Sequence, residues 1–279
     1  MKSNEYDPSE DGATIRFVDK MSYGDYLKLD SILAAQEPLS QAHDEMLFII
    51  QHQTSELWMR LAIHEINTAQ NLIRENSVRP ALKTLARVSR IFEQLNSAWD
   101  VLRTMTPADY TRFRDQLGHS SGFQSWQYRI IEFRLGNRNH AMIKAHSHRE
   151  DLVAKLKAEL ELPSLYDDVL GFMDREGLHL SQDILKRDWS QTHSVSEEIE
   201  DAWKRVYQSP EKYWLLYELG EKLVDLEDYL RRWRFNHVTT VERVIGFKRG
   251  TGGTAGISYL KRMLDIELFP ELWHVRTRL

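Results

Sequence analysis

The sequence predicts an all-α fold, one domain of long packed helices, and three observations carry that prediction. Glycine and proline are scarce, 13 and 7 of 279 residues, together about 7% against roughly 12% in average usage, whereas all-β folds need both at their many turns. From about Gln41 to Asn76 the chain has neither residue, and apolar side chains recur at three and four: Met46, Ile50, Leu57, Leu61. Comparable stripes return twice, through Leu82, Leu85, Val88, Phe92, Leu95, Trp99 and Leu102, and through Leu219, Leu223, Leu226, Leu230, Trp233, His237, Val241 and Val244.

In chain order, residues 1–20 read as a flexible polar arm and residues 21–279 as the helical domain. Ser22, with Asp25 three positions on, predicts a capped short helix running to about Ala35 and stopped by Pro38. The long helix of Gln41–Asn76 follows, then a second that starts near Pro80. Thr106-Pro107-Ala108-Asp109 predicts a sharp helix start, with the helix ending near Gly118. His119–Gln124 reads as a polar loop, and the helix after it stops at Gly136-Asn137. Residues 138–205 read as charged surface helices around Pro163. The last long helix spans Pro210 to about Ile245 with Gly246 as its C-cap, and a glycine-rich loop, a final helix and a tail complete the chain.

Composition excludes several chemistries. There is no cysteine, so disulfide frameworks, thiolate zinc sites, Cys-held iron–sulfur clusters and catalytic thiols are out. A metal would need His or carboxylate ligands, and 11 His are available. The net charge of −5 leaves no basic footprint for nucleic acid. No apolar run approaches the roughly 18 residues of a membrane span, and the N-terminus has no apolar signal region, so a cytoplasmic protein is expected.

Four features could carry chemistry. His237 sits in an apolar stripe, four residues after Trp233 and four before Val241; it is either a core histidine bonded to a carbonyl or an axial metal ligand. Phe48 and His52 share a helix face offset from the Met46/Ile50/Leu57 stripe, so that helix contacts something besides its own core, unless His52 is merely solvated. Tyr110 and Arg114, again four apart, would suit a carboxylate through the planar guanidinium fork, or would be a surface arginine on a tyrosine. Five of the 13 glycines fall within Gly246–Gly256. A long helix precedes that loop where a dinucleotide fold requires a strand, and no phosphate-loop Lys-Ser/Thr follows. It is either a close-approach lid over a ligand or a flexible connection. No HExxH, EF-hand, GxSxG or di-iron signature is present.

Five blocks make the sequence recognisable: Tyr23–Leu27, Asp44–Gln53, Phe123–Tyr128, Arg232–His237 and Phe247–Gly253. Together they closely resemble the bacterial tryptophan 2,3-dioxygenases. The resemblance implies an all-α, homotetrameric haem b enzyme that inserts both atoms of O2 across the indole C2–C3 bond of L-tryptophan, giving N-formyl-L-kynurenine. It implies that His237 is the proximal iron ligand and His52 the distal histidine that hydrogen-bonds the indole N–H. Phe48 would pack on the indole, Tyr110 and Arg114 would bind the carboxylate, and Thr251 would hold carboxylate and ammonium. Tyr23, Tyr26 and Leu27 would come from a neighbouring protomer, while Trp99, Ser121, Gly122 and Tyr128 would line the haem or pocket. Asp25 departs from the small residue expected there in some relatives. The turnover needs no outside reductant, in keeping with the missing nucleotide signature, and no axial thiolate can come from a chain without cysteine. A haem-binding sensor or carrier on the same scaffold, and a haem-free helical interaction protein, are the competing classes. The second leaves Arg114, Thr251 and the glycine cluster unexplained, and product formation separates the first.

Overall fold

A computed structural model describes residues 6–253 and 255–279, so the first five residues of the expected arm lie outside the described residues. Every regular element among the described residues is helical. The chain divides after Leu39 into two compact units.

In the first unit, α1 (Tyr23–Leu27) carries the expected capping box, Asp25 N to Ser22 Oγ at 3.2 Å and Ser22 N to Asp25 Oδ2 at 3.1 Å. The single helix expected to run to Ala35 is two. Lys28, at φ +55°, turns its N–H back onto the Gly24 and Asp25 carbonyls and ends α1 before α2 (Leu29–Leu33) begins.

The second unit is built on three long helices. α3 (His43–Arg74) and α11 (Trp214–Ile245) both pack along α4 (Val78–Leu102), which lies between them. The stripes expected on α4 and α11 are the packed faces: Leu85, Val88, Phe92 and Leu95 meet the core from one, Leu219, Leu223, Leu226 and Leu230 from the other. On α3 the expected stripe holds only at Leu61, which packs against the core. Met46, Ile50 and Leu57 are 39%, 44% and 55% exposed, and the packed face is Met59, Ala62, Ile66, Ala69 and Ile73. The alanines let α4 approach closely, so the tightest contact is made by the least conspicuous side chains.

α5 (Pro107–Thr111) starts on the expected Thr106–Asp109 capping box but breaks early; a 3-10 turn, Arg114–Leu117, carries the chain to Gly118. α6 (Trp126–Arg134) ends at Gly136, whose φ of +105° favours glycine. Residues 138–205 are more than a charged surface. α7 (Glu150–Leu160) packs on α6, but α8 (Leu165–Met173) packs on α3 and buries Leu165, Tyr166, Val169, Phe172 and Met173. α9 (Gln182–Leu185) and α10 (Glu197–Gln208) follow, the latter burying Trp203. α12 (Ile257–Arg262) and α13 (Pro270–His274) close the unit. A buried carboxylate in mid-α11 fixes the tail: Glu227 accepts from Leu268 N at 2.9 Å and Phe269 N at 3.0 Å, with Arg231 at 2.9 Å balancing its charge.

Candidate active site

The first half of α3 points its inner face into a cavity between α4, α6 and α11. Phe48 and His52, one turn apart, pack together with ring centroids 4.1 Å apart and the planes tilted by 40°. His52 Nδ1 lies 2.7 Å from the Phe48 carbonyl. A carbonyl only accepts, so Nδ1 carries the proton and Nε2 keeps its lone pair. Burial holds this imidazole below its ordinary pKa, which keeps it neutral. Phe48 continues into an aromatic cluster with Phe113 at 5.5 Å and Tyr110 at 6.0 Å.

The other wall is α11. His237 faces the same cavity, stacked on Trp99 of α4 at 5.0 Å and 19°, with Trp233 at 5.6 Å. Tyr128 of α6 extends the box, 4.9 Å from Trp233. Neither nitrogen of His237 has a hydrogen-bond partner among the described residues, so the core-histidine reading finds no carbonyl. Burial, with the His52 ring and Arg129 adding to it, pushes its pKa down to about 4. The ring therefore presents a free lone pair at neutral pH. Two donors in the cavity wall are buried without acceptors among the described residues, Trp99 Nε1 and Arg129 Nε. Donors buried unmet are costly, and a ligand carrying acceptors would relieve them. Among the described residues no cluster of three or more His, Asp or Glu could hold a bare metal ion. A metal at His237 would have to bring most of its own ligands.

The mouth is formed by the segment Ser120–Ser125 and the glycine-rich loop. Thr251 Oγ1 donates to the Ser120 carbonyl at 2.5 Å. A Cβ on Gly252 would lie 2.7 Å from Ser121 Cβ, so this close approach requires glycine. Phe48, His52, Trp99, Tyr110, Ser121, Gly122, Tyr128, His237 and Thr251 all line this one cavity. Arg114 stands behind Tyr110: its Nη2 donates to the Arg249 carbonyl at 2.8 Å, and its Nε is buried without a partner. Burial raises the Tyr110 pKa and Arg114 beside it opposes the rise. Tyr23, Tyr26 and Leu27 belong to the first unit, on α1, where the two tyrosines are 75% and 72% exposed.

The family profile described as Tryptophan 2,3-dioxygenase matches residues 8–164 and 201–279. A tryptophan 2,3-dioxygenase of Bradyrhizobium diazoefficiens is 68% identical over 277 residues, covering 99% of each chain. Those of Ruegeria pomeroyi and Bordetella pertussis are 63% identical over 276 residues and 57% over 270, covering 98% and 97% of this chain and 99% and 95% of their own. The chain belongs to the tryptophan 2,3-dioxygenase family. For a family member, two cavity-lining arginines deserve a place that the sequence reading did not give them, Arg129 and Arg234. Both contact the buried Glu132, at 2.5 Å and 3.2 Å, and Arg234 Nε donates to Tyr128 OH at 3.2 Å. Arg234 is three residues before His237, a spacing that shares its helix face. Arg129 falls one residue past the recognisable block that ends at Tyr128.

Proposed function

We propose that this chain is a haem-dependent tryptophan 2,3-dioxygenase, converting L-tryptophan and O2 to N-formyl-L-kynurenine. The observation that carries the reading is the pairing of two neutral histidines across one aromatic cavity, one with its tautomer fixed and one with no partner. The residues suit a haem. His237 would hold the iron through a neutral imidazole nitrogen, backed by the Trp99 and Trp233 rings. The unmet donors Trp99 Nε1 and Arg129 Nε suit the acidic side chains of the porphyrin. Bound there, haem would supply the iron chemistry that makes O2 reactive toward an electron-rich ring.

The chain's own residues bind and orient. Phe48 offers a face for the indole, and the lone pair of His52 Nε2 is the acceptor for the indole N–H. Because Nδ1 is held by the Phe48 carbonyl, accepting that bond requires no change of tautomer. Arg114 and Tyr110 take the carboxylate: Arg114 exchanges its Arg249 carbonyl partner for the stronger charge-assisted one. Thr251 and the glycine loop close over the amino-acid end and exclude water. The bond cleaved is indole C2–C3, and both oxygen atoms end in the product, so no external reductant balances the reaction.

The exposed α1 tyrosines and the exposed Met46/Ile50/Leu57 face of α3 support a homotetramer. In it, Tyr23, Tyr26 and Leu27 of one protomer complete a neighbour's site. Among the described residues no helix is long and apolar enough to cross a membrane, and we propose a cytoplasmic location. The test is reconstitution with haem, reduction, and exposure to isotopically labelled O2 with L-tryptophan. The expected result is a Soret band and a product carrying two labelled oxygens. A Soret band without product would leave a sensor or carrier, and neither would overturn the haem reading.

A further inference from the structure

We propose that Arg103 is a positioning residue for His237: it clamps the turn of α11 that carries the imidazole and so sets how the ring meets the cofactor. The inference deepens the haem reading and rests on it. Arg103 directly follows the last residue of α4, and its guanidinium crosses to α11. Nε donates to Thr240 Oγ1 at 2.8 Å, and Nη2 donates to Thr239 Oγ1 at 2.6 Å, Asn236 Oδ1 at 3.1 Å and the Asn236 carbonyl at 3.3 Å. One planar fork thus grips residues on both sides of His237. Arg243 returns the contact, its Nε donating to the Arg103 carbonyl at 3.3 Å. Two turns earlier Asn236 Nδ2 donates to Asn96 Oδ1 at 3.0 Å, and Asn96 Nδ2 donates to the Tyr229 carbonyl at 3.1 Å. Asn96, Trp99 and Arg103 share one face of α4, and Trp99, between the two polar ties, is the residue stacked on His237.

The local sequence explains why a clamp is needed. Val238, Thr239, Thr240 and Val241 are all β-branched and disfavour helix. Thr239 Oγ1 also donates to the Phe235 and Asn236 carbonyls at 3.2 Å and 3.1 Å, a back-bonding that bends helices. Among the described residues the His237 ring has no hydrogen-bond partner to hold its orientation, so the backbone turn must do so. Arginine suits the task because its rigid fork satisfies several acceptors at once, which a lysine ammonium cannot do in the same geometry.

The test compares Arg103→Lys and Thr240→Val with the wild type and His237→Ala. In the apoprotein, amide exchange of residues 236–241 should quicken in both variants while the Leu85–Leu95 core of α4 stays protected. In the haem-loaded protein, transfer of haem to an excess of a scavenging protein should speed up roughly 10- to 100-fold, the range for losing an outer support of a metal ligand. The iron–histidine vibration should shift or broaden. In His237→Ala supplied with imidazole, adding Arg103→Lys should change neither haem transfer nor the vibration, because the free ligand no longer depends on the turn. Unchanged transfer and vibration in the single variants, or equal effects with and without His237, would make Arg103 an ordinary packing residue and overturn the proposal. A wild type that takes up no haem would overturn the haem reading and the positioning role with it. The exchange arm would then report the clamp alone.

Discussion

The two walls of the cavity each present one histidine from one 32-residue helix, and they treat it oppositely. On α3, the Phe48 carbonyl at 2.7 Å fixes the His52 tautomer, so only one nitrogen is left to act. On α11, His237 is held by rings and by its backbone, with neither nitrogen bonded among the described residues. In the function proposed above, the same residue type would be tuned by its neighbours to two jobs: a fixed acceptor for a substrate N–H, and an open lone pair for a metal. The contrast teaches that the hydrogen bond a histidine lacks can be as informative as the one it makes.

The largest effect should come from the α11 wall. His237→Ala is expected to abolish haem retention and turnover together, seen as loss of the Soret band in the purified protein. If a variant kept haem and activity, the two walls would not differ as described. The α3 wall and the Arg114–Leu117 turn behind Tyr110 should respond more narrowly. Arg114→Ala is expected to raise KM for L-tryptophan roughly 10- to 100-fold, the cost of leaving a carboxylate without its charged partner, while haem content stays unchanged. An unaltered KM would remove its carboxylate role. His52→Ala should lower kcat/KM by about 10-fold with haem retained, the cost of one lost hydrogen bond to the indole. That penalty should vanish with a substrate methylated on the indole nitrogen, which has no proton to donate. A penalty of the same size on the methylated substrate would show that His52 does something other than accept that bond.

Much of this contrast was legible in the residues, and the illegible parts have physical causes. His237 and His52 stood out because each broke a helical pattern, the first inside an apolar stripe and the second on a face offset from one. The α4 and α11 stripes are the core because large side chains there meet large side chains. On α3 the same rule failed: the real seam uses Ala62 and Ala69, which carry little hydrophobic signal, while Met46, Ile50 and Leu57 face outward. Burial at α8 was obscured because the acidic pair Asp167 and Asp168 interrupts the otherwise apolar segment Leu165–Met173. Their charges are met by Arg187 and Arg74, each at 2.7 Å. Those partners lie 20 and 94 residues away in sequence, beyond any local window. Arg234 escaped for the same reason, since its partner Tyr128 lies 106 residues away.

The smallest effect is on the apoprotein and concerns proton balance. His237 titrates near 6.5 when exposed and is pushed down to about 4 in the fold. Between these values the unfolded chain binds the proton and the folded chain does not. The stability tied to the neutral ring is therefore complete above pH 6.5 and is lost as pH falls toward 4. His52 is shifted in the same direction, so it adds to the slope. Replacing His237 with phenylalanine keeps a ring against Trp99 and removes one titration. Denaturant midpoints measured across this window should fall less steeply for His237→Phe than for the wild type, and His52→Phe should show the same sign. Parallel curves for wild type and His237→Phe would mean that the α11 ring is solvated enough to protonate freely. The two walls would then differ in hydrogen bonding but not in burial. With haem bound, iron would compete with the proton for the His237 lone pair, so acid release of the cofactor should begin only below the pH window of the apoprotein.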